Sequence, residues 1–307
     1  MKYPKVHVLF VLIAGLPLLA LLLWDASLTR GQSPGSANSS SSDQSRVRPT
    51  VLVPAFGPAA ARNAALSTEL NWTFGSKQQH GWYFYTALIK RLIDTKDNPP
   101  SKGFAVALAR WQQKTGLQPN GVLDEESLYA MVAEWQRRRI GDRTPALPET
   151  LVTAPPSDYF DPERLEELRQ VEREAYAAYK RMVAAALADR SLGLARSRDG
   201  QLAANEKLLK IISSFRSREY QEKLRRESPN AGSAGLAVNS PHFTGRALDL
   251  YVGGEPVSTN DRNRAVQVQT PIYQWLVRNA ERFGFRPYFY EPWHWEYVSA
   301  GSSTGPR

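Results

Sequence analysis

Two segments near the carboxyl end of the chain combine histidine with carboxylate side chains. The first, SPHFTGRALDLYV, places His242 and Asp249 seven positions apart. The second, YEPWHWEYV, places Glu291 three positions before His294. Hydrolysis at a zinc ion needs three protein ligands, an open position for water, and a base that takes a proton from that water. His242, Asp249 and His294 would supply the ligands, and Glu291 the base.

Three sequence patterns surround these residues in the last third of the chain. SxHxxGxAxD is complete as Ser240, His242, Gly245, Ala247 and Asp249. ExWHxxY is present as Glu291, Trp293, His294 and Tyr297, and an aromatic residue followed by RSxxxQ is present as Phe215, Arg216, Ser217 and Gln221. A single His or Asp is more often structural, but in this order the patterns resemble the VanY-like group of zinc D-alanyl-D-alanine carboxypeptidases.

The resemblance implies a peptidase that removes the terminal D-alanine from the stem peptides of peptidoglycan. One Zn²⁺ per chain would be held by His242, Asp249 and His294. Glu291 would take the proton of the attacking water, and Arg216 would face the scissile carbonyl and stabilise its developing negative charge.

The same resemblance implies that Gln221 and Ser240 bind the substrate peptide. Structural alternatives stay open for these positions. Ser240 precedes a proline and could simply form a turn, and Arg216 could form a surface ion pair with Glu219 or Glu222.

Several other functions are compatible with these residues. The same zinc chemistry would serve an L,D-carboxypeptidase, or an endopeptidase that cleaves an internal peptide bond. A non-catalytic cell-wall-binding protein is a further alternative, but a structural zinc needs no base such as Glu291 and usually takes a fourth protein ligand. We expect no nucleic-acid partner, because the net charge of +9 is spread along the chain.

The local patterns around the site predict an α+β domain over residues 193–300, a small antiparallel sheet with flanking helices. ALDLYV alternates as a strand, which puts Asp249 on the face opposite the leucines. Glu291 and His294 would face opposite sides of a regular strand, so we expect Glu291 on a turn just before it. Thr270 and Gly284 delimit a further helix.

A Pro-rich connector and a long spacer helix are predicted over residues 141–192. The connector covers residues 145–156. The helix would begin at Asp161 as N-cap, with Pro162 in its first turn, and would extend to about Asp189. We interpret its charged face as solvated surface.

Residues 80–140 predict a small module of three helices. The helices would cover residues 82–93, 103–115 and 125–138, with Ser101 and Asp124 as N-caps of the last two. The stretch AVALARWQQKTGLQPNGVLDEESLYAMV resembles the repeat of peptidoglycan-binding three-helix domains, which implies binding of cell-wall glycan or stem peptide. The alternative is an accessory module that packs against its neighbour and binds nothing.

The amino-terminal residues predict export to the bacterial cell envelope. Two lysines precede an apolar run over residues 7–24, as in a signal anchor or signal peptide within residues 1–30. An uncleaved anchor would hold the catalytic domain outside the cytoplasmic membrane, and cleavage would release it. Residues 31–79 are interpreted as a flexible Ser-rich linker. The absence of cysteine excludes disulfides and thiolate metal sites.

Overall fold

The computed structural model describes residues 56–75, 77–227 and 239–299. The predicted membrane segment and the Ser-rich stretch after it lie outside these residues. Within the described ranges, no helix is both long and apolar enough to cross a membrane.

A helical unit occupies the amino-terminal part of the described chain. Its elements are α1 (Phe56–Glu69), β1 (Asn71–Phe74), β2 (Lys77–His80), α2 (Thr86–Leu92), α3 (Lys102–Lys114) and α4 (Glu125–Arg137). The N-caps of α3 and α4 are confirmed, since the Ser101 and Asp124 side chains accept hydrogen bonds from the backbone amides of Phe104 and Ser127. The first predicted helix begins later than expected, after a 3₁₀ turn at Tyr83–Tyr85.

The interpretation of residues 31–79 as a flexible linker is wrong for its second half. Residues 56–69 form α1, which packs against α3, and residues 71–74 and 77–80 form an antiparallel hairpin. The fully buried Asn63 donates to the Gly121 carbonyl at 2.8 Å and accepts from the Leu123 amide at 2.7 Å. Apart from Phe56 and Leu66, the apolar side chains of α1 are those of alanines, whose small size allows close packing.

Gly121 explains why the predicted Pro-Asn-Gly turn ends in glycine. Its φ of +71° lies in the left-handed region, and a Cβ there would come within 2.7 Å of the Ala105 carbonyl oxygen. The turn therefore fixes the path of the chain between α3 and α4 and holds the backbone groups that bind Asn63.

The predicted spacer helix is wrong over its first half. Residues 161–172 contain a 3₁₀ turn (Glu166–Leu168) and strand β4 (Gln170–Glu172), which pairs with β3 (Leu151–Thr153) inside the predicted connector. The helix α5 covers Arg173–Ala188, and its N-cap is Glu172, a residue of the predicted charged face that is buried and not solvated. Asp161 only caps a local turn, by accepting from the Glu163 amide, which imitates a helix start.

The carboxyl-terminal domain is an α+β unit, as predicted. Its elements after α5 are β5 (Ile211–Ser213), α6 (Arg218–Glu227), β6 (Ala247–Leu250), α7 (Asp261–Gln269), α8 (Pro271–Asn279), β7 (Phe285–Pro287) and β8 (His294–Tyr297). The four strands form one antiparallel sheet in the order β5-β6-β8-β7. Thr270 caps α8 as expected, and α7 is an additional helix.

The helical unit and the carboxyl-terminal domain share one hydrophobic core. Phe289 of the domain lies at the boundary and is 2% exposed. Its ring contacts Phe74, Tyr85 and Trp135 of the helical unit, with centroid distances of 4.7, 5.3 and 5.8 Å. The module predicted from residues 80–140 is thus packed directly onto the domain that carries the site.

Candidate metal centre and active site

Strand register brings two of the predicted ligands together. In the antiparallel pair β6·β8, Asp249 lies directly opposite His294, and on the other side of β6 Ser213 lies opposite Asp249. The core-facing neighbours Leu248 and Leu250 are fully buried. The alternation predicted for ALDLYV is therefore confirmed, and it directs the Asp249 carboxylate towards the site.

The third ligand comes from a short turn that precedes β6. Ser240 caps a 3₁₀ helix, Pro241–Thr244, by accepting a hydrogen bond from the His242 amide at 3.3 Å. The turn ends at Gly245 with φ +67°, where a Cβ would come within 3.0 Å of the Glu172 backbone nitrogen. The glycine of the SxHxxGxAxD pattern is thus required by close approach of another chain segment.

The three side chains form a buried cluster suited to a metal ion. One ligand atom from each of His242, Asp249 and His294 lies within 4.8 Å of the others, and all three residues are at most 3% exposed. The Asp249 oxygens are 3.3 Å from His242 Nε2 and 2.9 Å from His294 Nδ1. Sequence reasoning therefore selected three residues that the fold does bring together.

Each imidazole is oriented by a hydrogen bond on its other nitrogen. His242 Nδ1 donates to the Ser214 carbonyl at 2.7 Å, since a carbonyl can only accept, and this leaves Nε2 facing Asp249. His294 Nε2 lies 3.1 Å from Glu296 Oε1, which leaves Nδ1 for Asp249. Such orienting partners are typical of metal-binding histidines.

Burial and mutual charge set the protonation of the cluster without a metal. Burial and the Arg216 guanidinium lower the pKa of His242 to about 4. Burial alone would raise the pKa of Asp249, but the two imidazoles hold it well below its usual range. Burial opposes the charge on His294, yet hydrogen bonds to Asp249 and Glu296 raise its pKa to about 9. Binding of a metal ion would displace that proton.

Glu291 lies on the turn before β8, as expected. Its backbone carbonyl accepts a hydrogen bond from the His294 amide at 2.9 Å, which closes the turn. The side chain is 4% exposed, and burial raises its pKa to about 7. Its Oε1 is buried without a hydrogen-bond partner among the described residues. A buried carboxylate with an unused acceptor, beside the cluster, suits a group that takes a proton from water.

Arg216 is part of the site and not of the surface. Its Nη2 lies 3.2 Å from Asp249 Oδ2, and it donates to Ser213 Oγ from Nη2 and Nε at 2.9 and 3.1 Å. The residue is 3% exposed, so the alternative of a surface ion pair is wrong. Burial lowers its pKa, while an arginine side chain still keeps its charge in proteins.

The two residues expected to bind substrate differ in position. Ser240 lines a cleft of about 290 Å³, a volume that includes its open mouth, although its hydroxyl also caps the turn that carries His242. Gln221 is buried in α6 and is not among the side chains that line this cleft. The lining residues are Arg139, Arg216, Ser240, Pro241, His242, Tyr288, Glu291 and His294.

The sequence patterns did not point to Arg139 or Glu296, which also belong to the site. Glu296 carried a usable signal, because residues two apart on a strand share a face and His294 and Glu296 are so spaced. The sequence contained no such signal for Arg139, because its partner Glu296 lies 157 positions away in the chain.

The cluster fits a zinc ion by its donor chemistry. Two imidazole nitrogens and one carboxylate oxygen form a ligand set that zinc accepts, and three protein ligands leave a position open, as in catalytic zinc sites. The orienting bonds on His242 and His294 leave the nitrogens that face Asp249 free of hydrogen in the metal-bound form.

This chain is similar to solved structures over about half of its length. Comparison with curated protein sequences gave no match. A solved structure of the LdcB LD-carboxypeptidase is 24% identical, with a TM-score of 0.32, and the match covers 50% of this chain and 69% of that one. Another solved structure is a mutant of the vancomycin resistance D,D-pentapeptidase VanY from a VanB-type cassette, in complex with Zn(II). It is 21% identical, with a TM-score of 0.31, and the match covers 55% of this chain and 92% of that one.

The family comparison assigns the part of the chain that contains the site. Residues 168–300 match the family model for VanY, D-alanyl-D-alanine carboxypeptidase. All four residues of the predicted zinc machinery lie within this range, as do Arg216, Gln221 and Ser240. Residues 168–300 are therefore a carboxypeptidase domain of the VanY-like family.

Proposed function

We propose that the chain is a zinc-dependent D-alanyl-D-alanine carboxypeptidase that removes the terminal D-alanine from peptidoglycan stem peptides. The observation that carries this proposal is the buried His242, Asp249 and His294 cluster with the Glu291 carboxylate in the same cleft. One zinc ion per chain, bound there, would supply Lewis-acid chemistry and lower the pKa of a coordinated water.

Glu291 is the proton carrier in this proposal. With a pKa near 7, its carboxylate form takes a proton from the water that attacks the scissile carbonyl carbon. The resulting acid form then delivers that proton to the amide nitrogen of the departing D-alanine. The carbon–nitrogen bond breaks, the new carboxyl group of the shortened peptide releases its proton to solvent, and Glu291 is ready for another cycle.

Arg216 and the residues at the cleft wall bind and orient the substrate. The Arg216 guanidinium lines the cleft and stays charged, so it stabilises negative charge that develops on the carbonyl oxygen. Ser240 lines the same cleft and would contact the peptide. For Gln221 the resemblance alone supports a substrate-binding role.

The location of the protein and its contacts with the wall are separate parts of the proposal. The apolar run over residues 7–24 supports an anchor in the cytoplasmic membrane, with the domain in the cell envelope where stem peptides occur. The resemblance of residues 80–140 to wall-binding repeats supports contact with glycan. A pull-down of the chain with purified peptidoglycan sacculi, with and without soluble muropeptides, would measure that contact.

Mass spectrometry on defined muropeptides tests the reaction. The zinc-loaded chain is incubated with pentapeptide, tetrapeptide and crosslinked dimer, each also with a chelator. We expect chelator-sensitive loss of one alanine from the pentapeptide. Loss from the tetrapeptide instead would indicate L,D-carboxypeptidase activity, cleavage of the dimer alone an endopeptidase, and no cleavage with zinc bound a wall-binding protein.

The variant Glu291→Gln tests the assignment of the base. It keeps the shape of the side chain but removes its ability to take a proton, so we expect a decrease in kcat of about 10²–10⁴-fold. Zinc content should stay at the level of the unmodified protein, since Glu291 is not a predicted ligand. Full turnover by a zinc-loaded Glu291→Gln variant would contradict the proposal.

A further inference from the structure

Arg139 reaches the cleft from outside the family domain. It follows α4 of the helical unit and precedes the matched range of residues 168–300. Its side chain is 7% exposed and lines the cleft with His294 and Glu291. A residue outside the three sequence patterns of the site therefore contributes a charged group to the cleft.

The guanidinium of Arg139 is held in one orientation. Its Nε donates to Glu296 Oε1 at 2.9 Å, and Nη2 forms an ion pair with the same oxygen. Nη1 donates to Gln136 at 2.9 Å, and the guanidinium lies 3.9 Å from the centre of the Tyr288 ring. Planar stacking combined with two donors to one carboxylate is a geometry that lysine cannot reproduce.

The Glu296 carboxylate connects Arg139 to a ligand. Its side chain is fully buried, and its Oε2 accepts from the Ile140 amide at 2.8 Å. Its Oε1, which contacts Arg139, also lies 3.1 Å from His294 Nε2. The opposite nitrogen of that ring, Nδ1, lies 2.9 Å from Asp249. One continuous series of contacts thus joins Arg139 to the metal cluster.

We propose that Arg139 is a positioning residue for the metal site, which acts through Glu296 to hold His294 with Nδ1 directed at the ion. This inference rests on the proposed function, because it assumes that the cluster binds zinc. It adds that the helical unit, through the residue that follows α4, supports a zinc ligand of the carboxypeptidase domain.

The contacts favour this role over a purely structural one, in which Arg139 would only hold the helical unit against the carboxypeptidase domain. A contact that only joined the two parts would not need to reach a metal ligand. The neighbouring Arg138 already joins them, by pairing with Glu281 of the carboxypeptidase domain. Glu296 instead shares one oxygen between Arg139 and His294. An arginine that fixes this carboxylate also fixes the direction from which the imidazole is held.

Zinc affinity of the full chain, measured by competition with a chromophoric chelator, tests the proposal without any substrate. For Arg139→Met we expect affinity to fall about 10- to 100-fold, the usual effect of removing a partner that orients a ligand. Arg138→Met is the matched control, since Arg138 is the adjacent arginine, pairs with Glu281 and does not line the cleft. Its zinc affinity should stay within about twofold of the unmodified protein.

A double-mutant cycle separates action through Glu296 from an independent effect. If Arg139 acts through that carboxylate, Arg139→Met combined with Glu296→Gln should bind zinc within about twofold of Glu296→Gln alone. Losses that simply multiply would overturn the proposed route. The double variant removes both charges of this buried pair and leaves neither of them unpaired, so it keeps the test valid if Arg139→Met alone folds poorly.

The outcomes distinguish this inference from the proposed function. If the unmodified chain does not bind zinc, the proposed function fails first. If the unmodified chain binds zinc and Arg139→Met binds it equally well, the function stands and the positioning role is wrong. A Co²⁺-loaded sample adds a spectroscopic check, because displacement of His294 would change its visible absorption, whereas a loss of fold stability alone would not.

Discussion

Two buried arginines cross the boundary between the helical unit and the carboxypeptidase domain in opposite directions. Arg139 leaves the helical unit and ends on Glu296, beside a metal ligand. Arg264 leaves the domain and ends among aromatic rings, 4.6 Å from the ring centre of Phe84 and 4.3 Å from that of Tyr290. The first is held by a buried carboxylate, and the second by packing.

The hydrogen-bond partners of the two arginines show the same difference. Arg264 Nη2 donates to Tyr85 at 2.8 Å, and its ion-pair partner Asp261 is 74% exposed, so that ion pair is screened by water. Arg139 and Glu296 are 7% and 0% exposed, so their attraction is not screened. We infer that one boundary contact supports the chemistry of the site and the other supports the shared core.

Removal of the helical unit would have the largest effect on both contacts. A chain that starts at residue 141 lacks both Arg139 and the rings that surround Phe289. Loss of packing around one such ring costs about 3–5 kcal/mol, a large share of the stability of a typical domain. We expect no cooperative thermal unfolding and no near-ultraviolet circular dichroism, with the full chain as reference. A cooperative transition with full zinc affinity would show that neither boundary contact is needed.

Substitution of Arg264 tests whether this side chain acts by filling space. Arg264→Ala should lower the free energy of unfolding by about 3 kcal/mol, because it empties the space between the rings. Arg264→Met should recover most of that loss, since an apolar side chain of similar length packs between them. Urea denaturation of the metal-free chain would measure both, and zinc affinity should change in neither. If Arg264→Met lowers the free energy of unfolding as much as Arg264→Ala does, the charge of Arg264 is needed, and the two arginines act alike.

The sequence predicted the parts of the site that depend on nearby residues. His242, Asp249, Glu291 and His294 lie in two short segments, and strand alternation correctly predicted the direction of the Asp249 side chain and the turn at Glu291. Arg139 could not be predicted, because its ion pair joins residues 157 positions apart without any local pattern. The α+β fold of the domain was likewise predicted from local alternation and helix caps.

The errors of prediction have local physical causes as well. Asp161 and Pro162 imitate a helix start, but the chain between them and α5 pairs as β4 with β3. Helix α1 was assigned to the linker that begins with the polar, Ser-rich residues 31–45, and its own apolar side chains are mostly those of alanines. Besides the buried Ala59, Ala60 and Leu66, α1 is held by the two hydrogen bonds of Asn63 to backbone groups about 60 positions away, which no local pattern predicts.

Asn63 therefore provides the smallest of the expected effects, confined to the helical unit. Asn63→Ala leaves the Gly121 carbonyl and the Leu123 amide buried without their partner, which should lower the free energy of unfolding by about 2 kcal/mol. Asn98→Ala is the matched control, because Asn98 is exposed and, within the part of the chain that the structure describes, its side chain bonds only to Lys90. Its expected effect is below about 0.5 kcal/mol. Zinc affinity should be unchanged in both, since neither contacts Arg139. A weaker zinc affinity in Asn63→Ala would mean that the whole helical unit, and not Arg139 in particular, supports the metal site.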